Sequence, residues 1–215
     1  MARDDFYASA FGGFYSAYMR RPWLARRISR LVWGGDLAPY YDRMAAIGEV
    51  GAGQTIVDCP CGAGAAFSLV RPPPGVRYVA VDLSPSMLSR AGARAQELGL
   101  DGIEFVRGEA AAIPLPAASA DLFLSLWGLH CFPDPAAAID DAARVLAPGG
   151  RLVGCAFVRG SDSLRQRLLI RPGLGDFGNV ATATEVEAHL AASGLVVTEL
   201  DRRGPMLYFD ARAAA

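Results

Sequence analysis

The sequence predicts an α/β fold in which strands are joined by helices, and three observations predict it. Thr55–Phe67 (TIVDCPCGAGAAF) passes from an apolar, β-branched run through a Pro- and Gly-rich turn into small residues suited to a helix start. That order opens a βαβ unit. Further apolar runs at Val76–Val81, Ile103–Arg107, Ala120–Leu126 and Arg151–Phe157 alternate with helix signals. Acids close the first two runs, Asp58 and Asp82. Gly62 and Gly64 lack a Cβ and let a flat cofactor approach the backbone, while an acid at the second strand's tip is placed to accept both ribose hydroxyls. A cofactor with an adenosine end is the expectation.

Taken in order, residues 1–50 form a helical extension rich in aromatics (Phe6, Tyr7, Phe11, Phe14, Tyr15, Tyr18, Trp23, Trp33, Tyr40 and Tyr41). A helix is expected from about Arg20 to Val32 with Pro22 in its first turn, and a second over Leu37–Ile47 after the Gly34-Gly35-Asp36 break. The segment is either an extension that hides apolar area or a lid whose aromatics line an acceptor pocket. Arg26, Arg27 and Arg30 share one side of the first helix, with Trp23, Ile28 and Leu31 free to face elsewhere. A solvated face is the default there, and docking to an anionic acceptor or a membrane surface is the sharper reading.

Residues 51–215 form the main domain. Pro72–Gly75 ends the first helix, Ser84 caps the next with Pro85 at its first position, and Pro135–Leu146 is a helix ended by Ala147-Pro148-Gly149-Gly150. Residues 159–180 are an insertion with a short helix over Leu164–Leu169, and its Arg165, Arg167 and Arg171 could meet a carboxylate. Thr184 and Glu187 fit a capping box, Gly194 ends that helix, and Val196–Leu200 and Met206–Ala211 are the last strands, joined through Asp201–Pro205.

Composition narrows the function classes. The chain has 21 basic and 22 acidic residues, so nothing suggests a nucleic-acid partner. Mean hydropathy is high at +0.23, yet no apolar run reaches a membrane span, and the charged, aromatic start is unlike a signal peptide. Cys59, Cys61, Cys131 and Cys155 lack zinc spacing, even with His130 beside Cys131. Buried free thiols in a reducing cytoplasm and no metal are expected.

Gly-rich turns of this kind serve NAD, FAD and S-adenosylmethionine alike, but Phe67 stands where the dinucleotide version wants its third glycine. The run IVDCPCGAG resembles motif I of the class I S-adenosylmethionine-dependent methyltransferases, an acid followed by G-x-G-x-G. Asp58 falls on the acid, Pro60 on the first Gly, Gly62 on the second and Gly64 on the third. DLSPSML from Asp82, Gly108-Glu109-Ala110 and AARVLAPGGRLVG to Gly154 resemble the later motifs, and IPLP with GLHCF is similar to runs in the family's small-molecule (type 11) group.

The resemblance implies a Rossmann-like three-layer sandwich with a seven-stranded, mostly parallel sheet ending in an antiparallel hairpin. It implies that S-adenosylmethionine is bound by Asp58, Cys59, Pro60, Gly62 and Gly64 of motif I, by Asp82 on the ribose, and by Leu83 or Met87 against the adenine. Glu109 or the Ala110 backbone would meet the adenine amino group, and the Ser125 and Leu126 carbonyls the cofactor's ammonium. His130 is the catalytic candidate, as a base for the acceptor or as a group that holds the loop. Pro60 has two readings: it stiffens the turn if the native φ suits it and impairs binding if it does not.

The reaction so implied is in-line methyl transfer to a small-molecule or lipid-like acceptor, leaving S-adenosylhomocysteine, in a cytoplasmic monomer or homodimer. Two rivals stand beside it: a non-catalytic binding or partner protein of the same fold, and an NAD-linked oxidoreductase. A non-methyl use of S-adenosylmethionine is not separable from the sequence.

Overall fold

The computed structural model describes residues 21–32, 34–160 and 180–215. The aromatics from Phe6 to Tyr18, Arg20, Trp33 and the expected helix over Leu164–Leu169 with its arginines lie outside the described residues.

Two short helices lead in, α1 (Pro22–Val32) and α2 (Ala38–Met44), followed by a 3₁₀ turn at Ala45–Glu49. The main domain then runs β1 (Thr55–Asp58), α3 (Ala65–Leu69), β2 (Arg77–Asp82), α4 (Pro85–Glu97), β3 (Ile103–Arg107) and β4 (Ala120–Leu126). A 3₁₀ turn at Leu129–Cys131 leads to α5 (Pro135–Val145), β5 (Leu146–Phe157), α6 (Ala183–Ala192), β6 (Leu195–Arg203) and β7 (Met206–Ala213). The seven strands form one sheet in the order β3-β2-β1-β4-β5-β7-β6, parallel except for antiparallel β7 beside β5 and β6.

Successive strand residues point to opposite faces, so each strand feeds two cores. Ile56, Tyr78, Ala80, Leu122 and Leu124 pack with Tyr40, Met44, Phe67 and Ala91 from the first four helices. Val57, Val79, Phe123, Leu152 and Phe209 pack with Ile139, Val145, Val186 and Leu190 from α5 and α6. Both faces are buried, which explains why the parallel strands read as near-continuous apolar runs rather than as alternation.

Several boundaries differ from expectation. The last helix is capped by Thr182, not Thr184: Thr182 is extended (φ −80°, ψ 164°), accepts from Glu185 N, and Glu185 reaches back to complete the capping box. Thr184 lies two residues inside the helix, where the backbone is already helical and not the extended form an N-cap takes. The 37–47 helix stops at Met44 and tightens to 3₁₀. Strand five begins at Leu146, since Pro148–Gly150 continues the sheet edge through an irregular register between Leu146 and Arg151. The terminal strands run on to Arg203, leaving Gly204-Pro205 as the turn.

In α1 the buried positions are Ala25 and Ser29. Trp23 and Leu31 face outward alongside Arg27, whereas Arg26 and Arg30 both turn to Asp36 at 3.0 and 2.5 Å. The Asp36 carboxyl is held well below the usual range, first by the bond to Arg26.

Candidate functional site

Strand order reverses between β1 and β4, so the chain leaves these neighbours toward opposite faces and opens a crevice at their carboxyl ends. The residues around that crevice fall into two groups.

The first group is tied by backbone hydrogen bonds. Cys61 N donates to Val81 O at 2.9 Å and Gly62 N to Asp82 Oδ2 at 2.9 Å, fastening the turn after β1 to the tip of β2. Asp82 Oδ1 accepts from Ser84 N at 2.9 Å, and Ser84 caps α4 through Met87 N. Gly108 N donates to Asp82 O at 3.2 Å, bringing Gly108–Ala110 beside the same tip. Asp82 therefore organises three loops, two through its carboxylate and one through its backbone carbonyl. Gly62 and Gly64 are both left-handed, φ 52° and 78°. A Cβ on Gly62 would meet nothing within 4 Å, whereas one on Gly64 would lie 2.1 Å from the Phe67 ring. Gly62 therefore leaves open space for a ligand, and Gly64 makes room for Phe67. The large residue in the third-glycine position is thus accommodated by the glycine before it.

Pro60 has its own explanation. A Cβ on Gly128 would come 2.4 Å from Pro60 Cδ, so the ring occupies the space that Gly128 leaves after β4. The Cys59–Pro60 peptide is cis.

Asp58 is buried below this turn and accepts from Tyr78 Oη at 2.8 Å. Burial pushes its carboxyl up to about 7, Tyr78 opposing and the Asp82 charge adding. The side chains of Cys59 and Ser125 lie with Ala110 and Phe132 around a cavity of about 10 Å³ among the α5-side apolar residues, too small for a ligand. Cys59 and Ser125 can therefore serve the crevice only through their backbones. Leu83 is 54 % exposed beside Asp82, Met87 is buried and Glu109 is exposed.

The second group is aromatic. Trp127 directly follows β4 and is left-handed at φ 61°, a conformation rarely taken by a bulky residue. Its ring lies 5.0 Å from Phe157, 5.7 Å from Tyr40, 6.2 Å from His130 and 6.4 Å from Tyr208. Its indole N–H is buried with no hydrogen-bond partner among the described residues. His130 is buried, and its Nδ1 accepts from Phe157 N at 3.3 Å. That bond places the ring proton on Nε2, and burial pulls the pKa down to about 3. The Nδ1 lone pair is engaged in that bond, which ties the loop after β4 to the end of β5.

The sequence reading brought together the first group and missed most of the second. Tyr40 is legible as an aromatic of the leading segment but not as Trp127's neighbour, and Phe157 and Tyr208 carry no local signal. Among the described residues no group of three or more His, Cys, Asp or Glu could hold a metal ion.

A family model described as "Methyltransferase domain" matches residues 57–154. The 27-O-demethylrifamycin SV methyltransferase of Amycolatopsis mediterranei is 32 % identical over 72 % of this chain and 58 % of its own length. The demethylmenaquinone methyltransferase of Thermus thermophilus is 34 % identical over 59 % of this chain and 57 % of its own. The chain thus spans a little over half the length of these curated relatives. A geranyl diphosphate methyltransferase solved with GPP and sinefungin superposes with a TM-score of 0.70 at 18 % identity, over 82 % of this chain and 77 % of that one.

Proposed function

The chain belongs to the class I S-adenosylmethionine-dependent methyltransferase family, and from that premise we propose that it transfers a methyl group from S-adenosylmethionine to a small-molecule or lipid-like acceptor by direct in-line displacement. The observation that carries the reading is the Asp82 carboxylate, which ties the Gly62 turn to the start of α4 at the crevice edge. The open space over Gly62 and the exposed Leu83 beside it suit a ribose and a flat base.

When bound, S-adenosylmethionine supplies a methyl group already activated on a sulfonium. What remains for the protein is alignment and exclusion of water. Asp82 and the Gly62 turn would hold the cofactor's nucleoside half, with Glu109 or the Ala110 backbone at the base. The Ser125 and Leu126 carbonyls would hold its ammonium, and the half-exposed Trp127 and Phe157 rings would wall the acceptor side. His130 acts as a positioning residue, since its Nδ1 is committed to Phe157 N. An acceptor already nucleophilic at neutral pH suits such a site. The aromatic wall and the relatives' printed names both support a small or lipid-like acceptor.

Four free cysteines, three of them buried, support a reducing cytoplasm, and no helix among the described residues is long and apolar enough to cross a membrane. A near-zero net charge supports the absence of a nucleic-acid partner, and a monomer or homodimer is the assembly we infer.

Calorimetric titration with S-adenosylmethionine, S-adenosylhomocysteine and NAD tests the reading. Both sulfur compounds bind, NAD does not, and Asp82→Ala weakens binding by about tenfold or more. NAD binding in their place would move the chain to redox chemistry. Cofactor binding with no turnover across an acceptor panel would favour a non-catalytic role.

A further inference from the structure

We propose that α1 and the β6–β7 turn form a face that seats this protein on an anionic lipid bilayer, beside the crevice mouth. Trp23 is 64 % and Leu31 75 % exposed. Together with exposed Arg27 they fall at i, i+4 and i+8, one outward stripe of the helix. The opposite side is anchored: Ala25 is fully buried, and Ser29 Oγ donates to Gly35 O at 2.9 Å. The stripe therefore cannot be turned inward by rotating the helix.

The face continues across the chain. A Cβ on Gly35 would lie 2.4 Å from both Arg203 O and Met206 Cε, so the loop that follows α1 packs on the β6–β7 turn, at whose edge β6 ends in exposed Arg202 and Arg203. Because β7 is antiparallel and pairs Met206 with Phe157, that turn stands at the carboxyl edge of the parallel strands, the crevice side. Arg21, Arg26, Arg27, Arg30, Arg202 and Arg203 gather here; among the described residues the acids set against them are Asp36 and Asp42 beside Arg26 and Asp201 beside Arg203, and α1 itself contains no acid. Asp36 and Asp201 are already held by Arg26, Arg30 and Arg203.

Exposed Trp and Leu set among arginines suit the interface of an anionic bilayer, where the indole enters the headgroup layer and guanidinium groups meet phosphates. A second protein copy is disfavoured on the same charge, since two such faces would bring like charges together. The docking does not depend on the methyl-transfer reading; its use, presenting the crevice to a lipid-like acceptor, does.

Co-sedimentation of the full chain with phosphatidylcholine vesicles, with and without phosphatidylglycerol, tests it. Capture is expected on the anionic vesicles alone and falls with added salt. Arg27→Glu with Arg202→Glu lowers the apparent affinity by about tenfold, and Trp23→Ser with Leu31→Ser does likewise. All four side chains are exposed, so unfolding and S-adenosylmethionine titrations of these variants stay as in the parent. Lack of capture, or capture that ignores both pairs of substitutions, overturns the proposal. A dimer in light scattering that Trp23→Ser with Leu31→Ser disperses assigns the face to a second copy and overturns it too. Vesicle capture by a chain that binds no S-adenosylmethionine keeps the docking face and removes the methyl-transfer reading.

Discussion

The two sides of the crevice are built by different means. The side formed by β1 and β2 is held by hydrogen bonds among near neighbours, with Asp82 bonded to Gly62 N and Ser84 N and Cys61 N bonded to Val81 O. The side formed by β4, β5 and β7 is a stack of rings, Tyr40, Trp127, His130, Phe157 and Tyr208, in which the Trp127 indole N–H has no hydrogen-bond partner among the described residues. Hydrogen bonds have narrow geometric tolerance, whereas ring packing depends on shape and area. The first side suits an invariant cofactor and the second an acceptor that differs from enzyme to enzyme.

The largest expected effect is on the hydrogen-bonded side. Gly64→Ala adds a methyl group 2.1 Å from the Phe67 ring at a left-handed φ of 78°. It is expected to cost about 2–4 kcal/mol in urea unfolding. Gly62→Ala, left-handed but with open space around its Cβ, costs only about 1 kcal/mol of strain in the same assay, and its larger consequence is weaker cofactor binding by calorimetry. Equal stability losses at the two positions would break the distinction between a packing glycine and a ligand-facing one.

The two sides also differ in their response to pH. Asp58, raised from 3.8 to about 7, binds its proton more tightly in the folded chain. Its contribution is greatest below pH 4 and is lost as pH rises toward 7. His130, lowered from 6.5 to about 3, stays neutral when folded while the unfolded chain takes up a proton. Its contribution is present above pH 6.5 and is lost as pH falls toward 3. The slopes oppose each other over the same window. Asp58→Asn is therefore expected to leave a stability that rises with pH between about 4 and 6.5, and His130→Gln one that falls, both read by denaturant unfolding across pH. An NMR titration should show the His130 ring neutral from pH 5 to 8.

A cap gives the next effect: Thr182→Ala removes the acceptor for Glu185 N and costs about 1 kcal/mol in the same unfolding assay. The smallest comes from the aromatic side. Trp127→Phe keeps a ring and removes the unpaired N–H, so unfolding free energy changes by less than about 1 kcal/mol, and S-adenosylmethionine affinity does not move. A large loss of cofactor affinity would show that the two sides are not separable.

The βαβ opening was legible because its signals lie within thirteen consecutive residues and each follows from local stereochemistry. The capping box was misplaced by two residues because Thr182 and Thr184 each have an acid three positions on, and only the extended backbone at Thr182 decides between them. Pro60 read as a departure from the motif, and its fit against Gly128, 68 positions later, could not be seen from the motif alone.

The sequence by itself determined the alternation of strand and helix, the acids at the strand tips and the glycine turn, because backbone conformation and side-chain periodicity are local properties. Only the tertiary structure decided that Phe67 rests over Gly64, that His130 gives its lone pair to Phe157 N, and that residues 40, 127, 157 and 208 form one aromatic wall. The Gly64–Phe67 contact is local but needs the left-handed turn to be seen, whereas the others join positions tens of residues apart, and which rings meet depends on strand order and register, which residue type alone does not encode.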